Sequence, residues 1–397
     1  MMTIAVIGLG YVGLPLAINA ARSGYKVYGI DSNLDLVNSI NAAKSAIEDV
    51  SDVQLSEVIR SGKFIAANNA DNISDIDVIL ICVPTPVNSE NVPDLSYLTQ
   101  AITVSSLILK AGSLIILEST VAPGTTRNFL IPLVEKKSGI SRDLIHFSYS
   151  PERIDPLNKT WGISNTPKLI SSYNQESLEL TSQFYSKFVK LIVRCNSLEV
   201  AETAKLLENT FRLVNISFIN EIARFCNALG IDVNEVINVA STKPYGFMAF
   251  YPSVGIGGHC IPVDPLYLAD KAKEVGAPIQ FIELANHINR SLPKYFAELA
   301  EKKIGNLKNK KILVIGIAYK PNVSDTRETP VQALIHELES MGANVSWHDD
   351  LVKEWRNQKS VLLSPNFHLA ILATPHDYID LTNIGATPLL DTRGAIR

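Results

Sequence analysis

The stretch GIGGHCIPVDP, residues 255–265, sets Cys260 beside His259, behind Gly257 and Gly258 and ahead of Asp264. A cysteine so placed can be a nucleophile, a metal ligand or a buried small residue. Zinc is the easiest of the three to set aside. A catalytic zinc wants about three converging protein ligands, adjacent His and Cys diverge, and no H-x-x-x-H or C-x-x-C lies nearby. Burial is a stronger rival, because free cysteine is among the most buried residue types. Against burial, paired glycines suit a backbone that approaches a ligand closely, and Asp264 adds an acid. On residue types alone, nucleophile and buried thiol both stand.

Three other groupings carry chemistry. Lys205 and Asn209 are four residues apart in a helical pattern and share one face, so a cation and an amide could converge on one substrate oxygen. Glu152 and Arg153, in the segment SPER, follow a strand end, where open α/β sheets present ligand-contacting loops. Glu152 there reads equally as a base or as an exposed loop acid. Gly8, Gly10 and Gly13 form G-L-G-Y-V-G between a strand and a helix, with Asp31 at the end of the next strand. That is the dinucleotide fingerprint: a tight turn, close approach of backbone to pyrophosphate, and an acid for the ribose hydroxyls that repels a 2'-phosphate. NAD is favoured over NADP; the motif alone leaves FAD open.

These residues need a frame. Apolar runs at 4–7, 26–30, 78–83, 113–117 and 145–148, with helix-like segments between them, imply a doubly wound parallel sheet. Residues 197–229 read as one helix, with Val200, Leu207, Phe211, Val214, Phe218, Ile222, Phe225 and Leu229 on one stripe and Gly230 as its stop. At 1.5 Å per residue it spans roughly 50 Å, enough to link two domains and to serve a dimer interface. A second α/β segment follows: strand 310–316, helix 329–341 and strand 344–347, lacking the second and third fingerprint glycines. The fold class expected is α/β, two Rossmann-like doubly wound domains joined by a long central helix. Its boundaries are 1–195 for NAD binding, 196–300 for a helical dimerisation domain with the cysteine loop, and 301–397 for the second Rossmann-like domain.

The bulk numbers set limits. A 397-residue chain with 46% hydrophobic and 19% charged residues is ordinary globular composition for roughly two to three domains. A net charge of -4, with dispersed Lys and Arg, gives no cationic field for a nucleic-acid backbone. Four cysteines without a C-x-x-C pair fit a reducing cytoplasm better than a disulfide framework. The uncharged stretch at residues 3–21 is broken by Gly8, Gly10, Gly13 and Pro15, and no basic n-region precedes it, so neither an export signal nor a membrane span is expected.

Together, GLGYVG, VPTP at 83–86, ESTVAPGTT at 118–126, YSPERIDP at 149–156, the Glu202/Lys205/Asn209 helix, GGHCIPVDP and SDTRETP at 324–330 resemble the UDP-glucose/GDP-mannose dehydrogenase family over nearly the whole chain. His259 before the cysteine and KPYGFMAFYP upstream are most similar to its UDP-N-acetylglucosamine 6-dehydrogenase branch. UDP-N-acetylmannosamine, UDP-N-acetylgalactosamine and UDP-glucose are the alternative substrates, and a non-catalytic NAD- or sugar-nucleotide-binding protein is the alternative class. The chain departs from the family's pattern in two places: Leu157 stands where glycine is expected after YSPERIDP, and residues 352–365 are short.

The resemblance implies a four-electron oxidation of the sugar C6 alcohol to a carboxylate with two NAD+, feeding surface polysaccharide synthesis. Cys260 would hold the aldehyde as a thiohemiacetal and then a thioester. Lys205 and Asp264 would manage the C6 oxygen and its proton, Asn209 the oxyanion, Glu152 the hydrolytic water, and Thr120 water or nicotinamide. Tyr11, Val12, Pro84, Thr85, Thr120 and Arg327 would join Gly8, Gly10, Gly13 and Asp31 at the cofactor. Glu152, Arg153, Lys205, Asn209, Phe250, Tyr251, Gly257, Tyr319, Lys320 and Arg393 would hold the UDP-sugar. The expected partners are that substrate and a second copy of the chain, through the central helix.

Overall fold

The computed structural model describes every residue except 1, 48, 89–91, 156, 157, 159, 259 and 395–397, so Leu157 and His259 lie outside the described residues. The chain divides into two compact units, Met1–Leu207 with Leu266–Lys271, and Glu208–Pro265 with Ala272–Arg397.

The first unit runs β1 (Thr3–Ile7), α1 (Gly13–Arg22), β2 (Lys26–Ile30), α2 (Leu34–Asn41), α3 (Asp52–Arg60), β3 (Phe64–Ala67), β4 (Ile76–Ile81), α4 (Ser96–Ile108), β5 (Leu109–Leu117), α5 (Ile131–Ser138), β6 (His146–Tyr149), β7 (Lys168–Ser172), α6 (Gln175–Tyr185) and β8 (Ile192–Arg194). Its sheet has the order β3-β2-β1-β4-β5-β6-β7-β8, with β6 and β7 antiparallel and the other pairs parallel. The central strands are near-continuous Ile, Val and Leu because helices cover both faces. Ile4 and Val6 bury into the cluster on one face, Ala5 and Ile7 into that on the other. Polar side chains start several helices: Asn33 caps α2, and Ser51 with Gln54 forms a capping box on α3.

Register places the chemistry. Ile7 pairs with Ile30 and Ile81, Ile81 with Leu117, and Leu117 with Tyr149, so Gly8, Asp31, Cys82, Glu118 and Ser150 all leave the sheet at one edge. Strand order reverses between β1 and β4, the crevice where such sheets take ligands. The expected runs correspond to β1, β2, β4, β5 and β6, although β4 lies two residues earlier than 78–83.

The long helix α7 (Leu198–Leu229, 32 residues) closely matches the expected 197–229. Beyond it come α8 (Val233–Ala240), α9 (Asp264–Glu274), α10 (Gln280–Ile304), β9 (Lys311–Ile315), α11 (Pro330–Ser340), β10 (Asn344–His348), β11 (Glu354–Trp355), β12 (Gln358–Lys359), β13 (Leu369–Leu372) and β14 (Leu389–Asp391). The second sheet is parallel, in the order β10-β9-β13-β14. The segment noted as short, 352–365, holds the two-residue strands of the β11–β12 hairpin.

One carboxylate organises the end of this second sheet. Asp349 follows β10 and accepts from the amides of Ile317 at 2.9 Å, Leu351 at 2.9 Å and Val352 at 3.1 Å, while buried His376 approaches it through Nε2 at 3.1 Å. The Asn322 amide donates to Nδ1 of His376 at 2.9 Å, so Nε2 carries the proton that Asp349 receives. Burial pushes the Asp349 carboxyl up, but hydrogen bonds from His376 and Ile317 outweigh it and hold the group below the usual carboxylate range. A depressed carboxylate stabilises the fold above its unfolded pKa of about 4, and that contribution is lost as pH falls through the lower folded value. Asp349→Ala should therefore lower the denaturant midpoint at pH 7, by about 2–4 kcal/mol of stability. The gap from wild type should shrink at pH 3; an equal gap at both pH values would contradict the assignment.

Candidate active site

The glycine turn after β1 has the closeness and open space that a bound dinucleotide would need. Gly8 takes φ +90°, and a Cβ on Gly13 would lie 1.8 Å from the Gly8 carbonyl oxygen, so the turn closes only without a side chain. A Cβ on Gly10 would meet nothing within 4 Å. The space there is the approach a pyrophosphate needs. Helix α1 has neither a side-chain cap nor an acid in its first turn, leaving its amides and dipole to an anion. Asp31 accepts from the Leu9 amide at 2.8 Å and the Asn33 amide at 2.9 Å, which fixes its carboxylate beside the turn with lone pairs to spare for ribose hydroxyls. Tyr11 is exposed and Val12 half-buried at the mouth of α1.

The VPTP and ESTV loops are tied together. The Thr85 hydroxyl donates to the Thr120 carbonyl at 2.7 Å, and the hydroxyl of buried Tyr267 donates to the Thr85 carbonyl at 2.9 Å; Pro84 beside them is exposed.

Helix α7 has two faces of different character. At 100° per residue, Lys205 and Asn209 fall within about 60° of Glu202. Glu202 is fully buried, and Lys205 and Asn209 are each 9% exposed. The Glu202 carboxylate accepts from the Gly124 amide at 2.6 Å and the Thr126 amide at 2.9 Å, clamping the helix to the APGT turn. Asn209 donates through Nδ2 to Asp264 at 2.5 Å, while Lys205 makes no hydrogen bond or ion pair among the described residues. The opposite face is the apolar stripe read from the sequence. Its Leu207, Phe211, Phe218, Phe225 and Leu229 are exposed.

In the SPER loop, Glu152 Oε1 accepts from the amides of Arg153 at 2.6 Å and Ile154 at 2.8 Å. The Arg153 guanidinium donates to the Pro167 carbonyl at 2.8 Å. Cys260 is exposed, and its carbonyl accepts from the Asp264 amide at 2.8 Å, so thiol and acid flank one turn at the start of α9. The glycines before it are also required by the chain's own packing. A Cβ on Gly257 would strike the Glu328 carbonyl oxygen at 2.6 Å and Pro330 at 2.8 Å, and one on Gly258 would meet the Tyr319 ring at 3.0 Å. The close approach is to the chain's own SDTRETP and IAYKP loops, which leaves no room for a side chain.

Other expected contacts are placed locally. Phe250 packs edge-on against Phe211 with centroids 5.8 Å apart, and Tyr251 is exposed. The Tyr319 amide donates to the Asp325 carbonyl at 3.0 Å, and half-exposed Lys320 adjoins it. Arg327 forks onto Asp325, with Nε at 2.9 Å and Nη2 at 2.6 Å. The Arg393 carbonyl accepts from the Asn234 amide group at 3.0 Å. Sequence reading missed a buried group behind Glu152: Glu118, Lys168 and Tyr185. Its signals were an acid ending the apolar run LIILE and a lysine opening the strand KLISS.

Comparison with known proteins assigns each part of this layout. Residues 2–189 match the NAD binding domain of the UDP-glucose/GDP-mannose dehydrogenase family, residues 199–291 its central domain, and residues 313–397 its UDP binding domain. The chain belongs to that family. It is 35% identical over 358 residues to the UDP-N-acetyl-D-mannosamine dehydrogenase of Pyrococcus horikoshii, covering 89% of this chain and 84% of that relative. It is 34% identical over 358 residues to the UDP-N-acetyl-D-glucosamine 6-dehydrogenase of Pseudomonas aeruginosa, covering 88% and 83%. A solved structure of UDP-D-ManNAc dehydrogenase from Pyrococcus horikoshii matches with a TM-score of 0.91 at 33% identity, covering 100% of this chain and 96% of that one.

As a member of the family, the protein is an NAD-dependent UDP-sugar dehydrogenase. NAD is the hydride acceptor, and the glycine turn fits it as described. Two alanine variants separate folding from binding. Gly10→Ala, with open space around it, should keep the wild-type melting temperature and weaken NAD binding at least about tenfold by calorimetry, the cost of a methyl group against the pyrophosphate. Gly13→Ala should lose both. Undiminished NAD affinity in Gly10→Ala would place the pyrophosphate elsewhere.

Proposed function

We propose that the protein oxidises the C6 alcohol of a UDP-N-acetylhexosamine to the uronic acid through a thioester on Cys260. The observation that carries this reading is Lys205. It is a buried lysine with no partner among the described residues, on the helix face it shares with Asn209. An ammonium out of water without a counter-charge is costly, unless the reaction itself brings negative charge to it. An alkoxide at C6, and later the oxyanions of the thiohemiacetal and thioester steps, supply that charge. Asn209 adds an amide, and Asp264, bonded to it, takes part in moving the C6 proton. Hydride leaves C6 twice, once from the alcohol and once from the thiohemiacetal. Water then cleaves the thioester with Glu152 as base, and Thr120 positions water or nicotinamide.

The UDP-N-acetylglucosamine reading rests on KPYGFMAFYP and the Pseudomonas aeruginosa relative. A second reading, UDP-N-acetylmannosamine, is favoured by the Pyrococcus horikoshii likeness. Tyr319, Lys320, Arg393, Phe250 and Tyr251 would contact the nucleotide or sugar. Arg327 would lie at the cofactor. The domains proposed remain 1–195, 196–300 and 301–397. Cys82, Cys195, Cys226 and Cys260 are not joined in disulfides, which favours a reducing cytoplasm, and among the described residues no helix is long and apolar enough to cross a membrane.

A second copy of the chain would cover the apolar face of α7. Phe218→Glu with Phe225→Glu, both on that exposed stripe, should convert a dimer to monomers in light scattering. Wild-type protein that is already monomeric would refute the interface.

For the chemistry, NADH formation should be measured with UDP-N-acetylglucosamine, UDP-N-acetylmannosamine, UDP-N-acetylgalactosamine, UDP-glucose and GDP-mannose. Turnover should be greatest on one of the UDP-N-acetylhexosamines; none on any of the five would leave the non-catalytic reading. Cys260→Ala should abolish acid formation and retain NAD binding, and Lys205→Met should lower kcat by about 10²–10³-fold. Unchanged acid formation in Cys260→Ala would remove the cysteine from the mechanism.

A further inference from the structure

Behind the SPER loop lies a cluster of charge that the chemistry above does not use. Glu118, Lys168 and Tyr185 are 1%, 6% and 0% exposed. Lys168 Nζ lies 2.6 Å from Glu118 Oε2, and the Tyr185 hydroxyl donates to the other Glu118 oxygen. The same ammonium lies 3.5 Å from Glu152 Oε2 and donates to the Pro151 carbonyl at 3.3 Å. One buried cation therefore serves two carboxylates, an inner one wholly enclosed and an outer one on the active-site loop.

A buried ion pair is a poor device for stability alone, because apolar side chains of similar volume usually do as well. The arrangement makes sense if the outer carboxylate is its object. Glu152 Oε1 is held by two amides of its own loop, whereas Oε2 has Lys168 as its cation. The loop is strapped to β7 by Ser150, whose hydroxyl donates to the Leu169 carbonyl at 2.8 Å, and to Pro167 just before that strand by Arg153. Burial pulls the Lys168 ammonium down, but the charges of Glu118 and Glu152 more than restore it, so it stays protonated.

We propose that Lys168 is a positioning residue that holds the Glu152 carboxylate for hydrolysis of the Cys260 thioester. The inference rests on the reading of Glu152 as the hydrolytic base. In that step a water oxygen bonds to the thioester carbonyl carbon while its proton passes to Glu152. The C–S bond then breaks, its electron pair returns to the Cys260 sulfur, and the uronic acid leaves; no electrons go to NAD+. Loss of Lys168 should therefore slow hydrolysis and spare the two hydride transfers, so that the enzyme accumulates as its thioester.

Lys168→Met alone strands two carboxylates and risks the fold. Lys168→Met with Glu118→Gln removes one charge of each sign and leaves Glu152 without its cation. In rapid-quench experiments with NAD+ and the preferred UDP-sugar, this double variant should give a burst of two NADH per Cys260, and intact-protein mass spectrometry should find a uronyl adduct on that cysteine. Steady-state turnover should fall about 10- to 100-fold. Lys168→Arg should restore turnover without adduct. Tyr185→Phe with Glu118→Gln, which disturbs the same buried site but keeps Lys168, should also turn over without adduct. A merely structural cluster would affect both double variants alike, and that outcome, or slow turnover with no adduct, would overturn the proposal. Glu152→Gln separates the two readings. No adduct there sinks the base, whereas adduct there but none in the Lys168→Met/Glu118→Gln variant sinks the role of Lys168 alone.

Discussion

Two backbone amides, those of Gly124 and Thr126, converge on the buried carboxylate of Glu202, and this contact fixes how helix α7 is rotated. Once Glu202 faces inward, the helical repeat carries Lys205 and Asn209 to the same side, and Val200, Leu207, Phe211, Phe218, Phe225 and Leu229 to the other. Rotating the helix by half a turn about its axis would exchange the two faces, turning the phenylalanines inward and the lysine outward. The carboxylate tolerates enclosure because each of its oxygens has an N–H to accept, although burial still pushes its pKa up. The burial of Lys205 and the exposure of an apolar stripe are thus two consequences of one clamp.

The sheet edge imposes the second constraint. In-register pairing from β2 to β6 brings the ends of distant segments level, so the glycine turn, Asp31, the VPTP loop, Glu118 and the SPER loop emerge side by side. What the edge delivers is then trimmed by contacts that strands cannot make. Thr85 ties one loop to the next, and Lys168 ties the last loop to the strand behind it.

Local pattern made much of this legible. Continuous Ile and Val runs gave the central strands, the glycine spacing gave the dinucleotide turn, and helical periodicity placed α7 to within a residue. The same periodicity could not say whether the stripe on α7 faces a core or a partner, since both demand apolar residues at the same spacing. β7 escaped notice because its first residue is a lysine, and what makes Lys168 tolerable inside is Glu118, fifty positions earlier. α10 lies largely in the stretch expected to be helical, 196–300, and it continues through an interior proline, Pro293, where Leu292, Phe296, Ala297 and Ala300 pack into the core of the second unit. The crowding around Gly257 comes from Glu328 and Pro330, about seventy residues away in the chain, and nothing near Gly257 in the sequence announces it. Long-range contacts of this kind leave no local trace. Of the site itself, residue types gave the candidates, and only the fold distinguished a lysine without a partner from a solvated one.

The central claim is that one cysteine carries the sugar through both oxidations. It is tested most directly by counting NADH against uronic acid formed from the preferred UDP-N-acetylhexosamine under single-enzyme turnover. The account requires a ratio of about two, with no free aldehyde released, because the thiohemiacetal holds the intermediate between hydride transfers. A ratio near one, with aldehyde accumulating in solution, would contradict it.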